Sequence, residues 1–179
     1  MILWFTLLTG VIYPLIITGI SLLTMPEKAR GSFITVNNKK VGSLLIGQKF
    51  TAPHYFWSRP SAVDFNPLPS GGSNLSPTSN VLKEIVKERQ LNLSKAHGNA
   101  PLNEIPVDLI YASASGLDPH ISLQAVHFQL ERVAAARKLD KKQLEQLIAT
   151  HAQKPFFYLL GDPYINVLEL NRALDEVVK

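Results

Sequence analysis

The chain carries 18 Lys and Arg against 14 Asp and Glu in 179 residues, a net charge of +4, and it has no cysteine. Disulfides, thiolate metal sites and a cysteine nucleophile are therefore excluded. The charges are scattered, with no run of five like charges and no basic helix face, which argues against nucleic acid as a partner.

Ile2 to Met25 is a run of 24 uncharged residues that ends at Pro26-Glu27-Lys28. A helix of that length is about 36 Å long at ~1.5 Å per residue, enough to cross a bilayer core of about 30 Å. A cleaved signal peptide would show a basic start and an apolar core of only about 7–15 residues. This run shows neither, so residues 1–26 are expected to form a retained transmembrane anchor helix. Thr6, Gly10, Pro14 and Thr18 recur every four residues within it. Small residues let helix backbones approach one another in lipid, and a proline is tolerated where neighbours re-satisfy the backbone. This stripe is expected to pack against other membrane helices.

Residues 27–179 are enough for one domain with its own core. Residues 32–46 read as a β-hairpin. Phe33, Ile34 and Val36 lead into Asn37-Asn38, which tolerate positive φ, and Val41, Leu44, Leu45 and Ile46 follow. Tyr55, Phe56 and Trp57 form an aromatic cluster expected to pack, with Arg59 stacked on one ring. From Asn66 to Asn80, thirteen of fifteen residues are Asn, Pro, Ser, Gly or Thr. So long a loop, at 66–80, is usually functional or disordered.

Helical spacing follows at Leu82, Ile85, Val86 and Arg89, after a cap among Thr78, Ser79 and Asn80. Ile105 to Ala112 reads as a buried strand with Pro106 at its start. Leu123 to Arg137 is a second helix, starting as early as Pro119, with Asp118 as its cap. Asp140 and Gln143 read as a capping box for a third, carrying Leu144, Leu147 and Ile148. Phe156 to Leu160 reads as a strand. Asn166 caps a terminal helix with Glu169 at its third position and a stripe of Val167, Leu170, Leu174 and Val178. The expected class is α+β: one N-terminal transmembrane helix, then a single globular domain with a small sheet and about four helices.

Two loops stand out for chemistry. Ser70-Gly71-Gly72-Ser73-Asn74 offers successive backbone amides to an anion, yet lacks the Lys and Ser/Thr of a phosphate loop. Ser113, Ser115, Gly116, Asp118 and His120 gather hydroxyls, a carboxylate and an imidazole within eight residues. One reading is a membrane-anchored hydrolase using Ser115 or His120. The Gly-x-Ser-x-Gly elbow is missing, however, and triads are assembled in space rather than along eight residues. His120 and His127 share a helix face without a third metal ligand. Both loops are expected to be docking surfaces, and no catalytic or metal residue is assigned.

As an ensemble the chain resembles the C subunit of the Kdp-type potassium-transporting ATPase. The likeness runs through Leu7-Leu8-Thr9-Gly10, Tyr13-Pro14, Gly42 to Gln48, Tyr55-Phe56 and Arg59 to Ala62. It continues in Ser70 to Leu75, Ala112 to Ile121, Arg132 to Ala134, Asn166 to Leu168, Leu170-Asn171 and Ala173 to Asp175. The resemblance implies a non-catalytic accessory subunit of an ATP-driven potassium uptake pump in the bacterial inner membrane. It implies as partners the pore-forming subunit, the P-type ATPase subunit and a very small fourth subunit. It further implies a catalytic chaperone that raises the ATP affinity of the ATPase subunit. ATP would then be reached through that partner, the two loops being docking or shared nucleotide contacts. Lys28 and Arg30 after the span would by charge alone keep the domain in the cytoplasm. The family arrangement, with the N-terminus cytoplasmic and the domain outside, is the expectation adopted.

Overall fold

The computed structural model describes residues 1–36, 38–155 and 161–177. By internal contact the chain divides into two units, Met1–Leu45 and Ile46–Lys179.

In the first unit one helix, α1 (Ile2–Thr24), has a mean hydropathy of 1.9, and none of that apolar stretch is buried by protein. Its stretch Leu8–Ile12 is π-helical. Pro14 offers no N–H to the carbonyl one turn back at Gly10, and its ring presses on that carbonyl. The wider turn immediately upstream takes up the crowding. Thr9 and Thr24 donate their hydroxyls to the carbonyls of Phe5 and Ile20 at 2.7 and 2.8 Å, so neither needs water. After a short helix α2 (Pro26–Ala29) comes the expected hairpin. Strands β1 (Phe33–Val36) and β2 (Lys39–Ser43) pair antiparallel, with Phe33 opposite Ser43 and Val36 opposite Lys39. A bulge between Ile34 and Thr35 breaks the register. The second strand stops at Ser43, and Leu44 to Ile46 form a turn and bend rather than a strand extension. The hydroxyl of Ser43 causes this: it donates to Gly31 O at 2.7 Å and accepts from Leu45 N–H at 3.1 Å, turning the chain.

In the second unit four longer helices appear: α3 (Asn80–Ala96), α5 (Leu123–Arg137), α6 (Lys141–His151) and α7 (Val167–Val177). Between the first two lies a single helical turn, α4 (Val107–Ile110). Strands β3 (His120–Ser122) and β4 (Tyr164–Asn166) pair antiparallel, placing Ile121 opposite Ile165. Both isoleucines are buried, in a core with Val126, Val133, Leu144, Ile148, Leu170 and Leu174. Each such side chain contributes about 1.5–3 kcal/mol on burial. The class is α+β, with two separate two-stranded sheets among the described residues in place of one.

Several local expectations change. Ile105 to Ala112 is not a strand. Pro106 is extended, and Leu109 and Tyr111 N–H groups donate back to Pro106 and Val107 carbonyls, closing one helical turn that buries Leu109 and Ile110. An apolar run this short fits either state, and here Asp108 accepts the Ser122 N–H at 2.8 Å from that turn. The second helix does not start at Pro119. His120 to Ser122 are β3, and the Ser122 hydroxyl caps α5 by accepting from Ala125 N–H at 3.0 Å. Asp140 does sit at the N-cap of α6 but makes no side-chain cap bond. Asn166 does cap, accepting from Glu169 N–H at 3.1 Å. The strand expected at residues 156–160, and Val178, lie outside the described residues.

Candidate functional site

The segment 53–59 reaches the Ser113–His120 loop through Arg59 and Asp118, and buried side chains from distant helices hold its backbone. Asn171 of α7 accepts the Phe56 N–H at 2.8 Å and donates to its carbonyl at 2.9 Å. Gln129 of α5 does the same for Trp57, at 2.7 and 3.2 Å. Two carboxamides thus replace the ladder partners an extended segment needs once it is buried. Phe56 is the fully buried ring of this segment.

Arginines from α5 brace the same segment. Arg132 stacks 4.0 Å from the Trp57 ring. It donates to the carbonyls of Pro53 and Tyr55, to Gln129 Oε1 and to His97 Nε2. Burial pushes its pKa down to about 10. Arg137 lies over Tyr55 and pairs with Asp175 at 2.6 Å, while the Tyr55 hydroxyl donates to the other oxygen of Asp175. Burial, then the bond to Asp175, raises the Tyr55 pKa. The aromatic cluster therefore packs as expected, but its stacked arginines are Arg132 and Arg137. Arg59 instead pairs with Asp118 at 3.0 Å.

That ion pair leads into the first loop. Asp118 does not cap a helix: one carboxylate oxygen accepts from Arg59 and the other from His120 N–H, also at 3.0 Å. Ser113 is buried, and its N–H donates to Pro60 O at 3.1 Å. Gly47, which sequence reasoning did not place in the site, donates to Leu117 O at 2.7 Å. A Cβ on Gly47 would lie 2.5 Å from Asp118 O, so only glycine lets the two backbones meet.

The structure brings the two expected loops together. A Cβ on Gly72 would stand 3.1 Å from Ala114 O, and one on Gly116 would stand 2.7 Å from Gly71 O. Gly116 also sits at φ 69°, a conformation that favours glycine. Ser70, Ser73, Asn74 and Ser115 remain exposed along the joined loops. The glycines serve the contact, and these four polar side chains stay exposed while Ser113 is buried.

The Ser115 hydroxyl accepts from Leu117 N–H at 3.1 Å. His120 lies 3.7 Å from Asp118 Oδ1, and its ring meets Tyr164 edge-on at 4.6 Å. Its pKa is lowered by burial, against the raising effect of Asp118. Imidazole and carboxylate are therefore adjacent, while the Ser115 hydroxyl accepts from its own loop's backbone. Among the described residues no group of three or more His, Cys, Asp or Glu is placed to hold a metal ion.

In α1 the stripe Thr6, Gly10, Pro14 and Thr18 straddles the π-helical stretch. A four-residue repeat drifts by ~40° per step in a helix of 3.6 residues per turn. It drifts less across a turn that takes in about one more residue. The π turn therefore holds the stripe closer to one side than an unbroken α-helix would.

Comparison with known proteins covers nearly the whole of this architecture. The family model for the K+-transporting ATPase c chain, KdpC, matches residues 1–176. The chain is 49% identical over 180 residues to the potassium-transporting ATPase KdpC subunit of Photorhabdus laumondii, covering 99% of this chain and 93% of the relative. It is 50% identical over 174 residues to that of Polaromonas naphthalenivorans, covering 95% and 88%. It is 47% identical over 177 residues to that of Ralstonia nicotianae, covering 96% and 85%. Apolar helix, joined glycine loops and packed α+β domain all fall inside the matched span, and the chain belongs to the KdpC family, the C subunits of the potassium-transporting ATPase.

Proposed function

We propose that the chain is the accessory, non-catalytic subunit of an ATP-driven potassium pump, held to the membrane by α1 and docked through the joined loops. It assembles with the pore-forming subunit, the P-type ATPase subunit and a very small fourth subunit. One observation carries the docking role: the contact of Gly116 with Gly71 fuses Ser70–Asn74 and Ser113–His120 into one surface. A rigid surface loses little freedom on binding, which favours association. Helix α1 adds a second contact in the bilayer through Thr6, Gly10, Pro14 and Thr18.

The domain lies outside the cytoplasm, with the N-terminus inside. The chain raises the ATP affinity of the ATPase subunit, and from that side of the membrane it does so indirectly, by stabilising the assembled pump. Two measurements on the whole complex test this together. Protease added to sealed cells should digest the domain, and pump lacking the chain should need more ATP for half-maximal hydrolysis. A protected domain would instead open direct nucleotide contact at Ser70–Asn74. An unchanged ATP requirement would end the chaperone reading.

A further inference from the structure

A cavity of about 330 Å³ opens in the second unit between the 50–60 segment and helix α3. Phe50, Trp57, Phe65 and Leu93 supply apolar wall, Arg59 and Arg89 supply two guanidinium groups, and among the described residues no Asp or Glu lines it. Arg59 is already paired with Asp118. Arg89 donates to Ile110 O at 2.9 Å, and no carboxylate pairs with it among the described residues. Burial lowers its pKa, against the raising effect of the neighbouring Glu88 charge.

The wall is also held under strain. Asp64 and Phe65 lie at φ 50° and 60°, a region bulky residues rarely enter. The Ser61 hydroxyl fixes them there by accepting from the N–H groups of Val63 and Phe65 at 3.2 and 2.9 Å. Strain of this kind gathers at ligand clamps and switch regions. The volume stands near the lower end of ligand pockets, and the exposed Thr51 and Asn92 stand at its rim. It suits one large side chain better than a cofactor. Aromatic and arginine pockets that seat a single anchor are the usual centres of protein interfaces.

We propose that this cavity receives an acidic, apolar anchor from another subunit of the pump. A Phe, Tyr, Trp or Leu side chain sits against Phe50, Trp57 and Phe65, and a neighbouring Asp or Glu pairs with Arg89. The inference rests on the proposed role as a pump subunit and names the chemistry of one contact.

The test is made in the assembled complex, with p-benzoylphenylalanine replacing Phe50 for photo-cross-linking. The expected result is a cross-link to one segment of another pump subunit that carries an Asp or Glu within about one helical turn of the captured residue. Arg89→Gln should lower the cross-link yield about tenfold, and Arg89→Lys should retain most of it, because charge pairing rather than shape is removed. A working complex with no cross-link, a captured segment without a carboxylate, or a yield unchanged in Arg89→Gln would overturn the proposal. Thermal melting of each variant shows whether a lost yield reflects misfolding; if Arg89→Gln unfolds, the Lys variant and the captured sequence decide. A chain that joins no pump subunit at all would instead defeat the assembly reading itself.

Discussion

Gly116 packs so closely on Gly71 that a Cβ atom at Gly116 would lie 2.7 Å from the Gly71 carbonyl oxygen. The same Cβ would lie 2.6 Å from Val63 Cγ2, and the backbone stands at φ 69°. Gly116→Ala therefore meets strain and overcrowding together. We expect it to destabilise the domain by roughly 2–4 kcal/mol, seen as a lower urea midpoint. Gly71→Ala meets open space at its own Cβ and should change the midpoint little.

Arg132 donates to two carbonyls of the 53–57 segment and to the side chains of Gln129 and His97, so a residue of equal charge but different shape should fail. Lysine has no planar fork to reach Tyr55 O, Gln129 and His97 while stacked on Trp57. Arg132→Lys should cost roughly 2–4 kcal/mol in chemical unfolding, the scale of losing several bonds in a buried network.

The bond between Arg132 and His97 carries a pH dependence. Nε2 of His97 accepts from Arg132 Nε at 3.0 Å, and Nδ1 faces Leu93 O at 2.8 Å, so the neutral ring with its proton on Nδ1 fits both. Burial lowers the His97 pKa, with the Arg132 charge acting the same way and the Leu93 bond against it. The cavity beside the ring also presents Glu104, Glu131 and His127. A folded pKa below the unfolded value of about 6.5 means that the unfolded chain binds more protons in the window between the two. The stabilisation is complete above about pH 6.5 and is lost as pH falls through the folded value, with a slope of at most ~1.4 kcal/mol per pH unit for one group. His120 has the same direction of shift. His97→Gln should flatten part of this slope in melting curves taken from pH 7.5 to 5, and an unchanged slope would remove His97 from the account.

The anchor makes a separate prediction. Nothing lies within 4 Å of a Cβ built on Gly10, so Gly10→Leu leaves the chain itself unhindered. It should leave domain melting unchanged while reducing retention of the chain with the pump in detergent. Equal retention of wild type and variant would show that this side of the helix faces lipid.

The parts of the fold legible in sequence were those with a period or a cap. A run of 24 uncharged residues marked α1, and Asn166 with Glu169 three residues on marked the start of α7. Strands β3 and β4 were not legible, because three residues hold too little alternation to register. The clamps on Phe56 and Trp57 were hidden for another reason: Asn171 and Gln129 lie 115 and 72 residues away from the groups they bind. Both loops of the candidate site were readable one at a time from their composition. Their contact was not, since a glycine chosen for close approach looks the same in sequence as one chosen for a turn. Arg59 illustrates the limit, for beside three aromatics it suggested stacking, whereas Asp118, 59 residues on, claims it.

The central claim is that the joined loops dock this chain onto the pump. Its most direct measurement is co-purification of the other pump subunits with the full-length chain carrying Ala at Ser70, Ser73, Asn74 and Ser115, the exposed positions of that surface. These changes leave the glycine contact intact, so domain melting should stay within about 0.5 kcal/mol per site of wild type. The account predicts a fall of about tenfold or more in recovered partner subunits, as for the loss of an interface centre. Full recovery of a pump with normal potassium-stimulated ATP hydrolysis would contradict it.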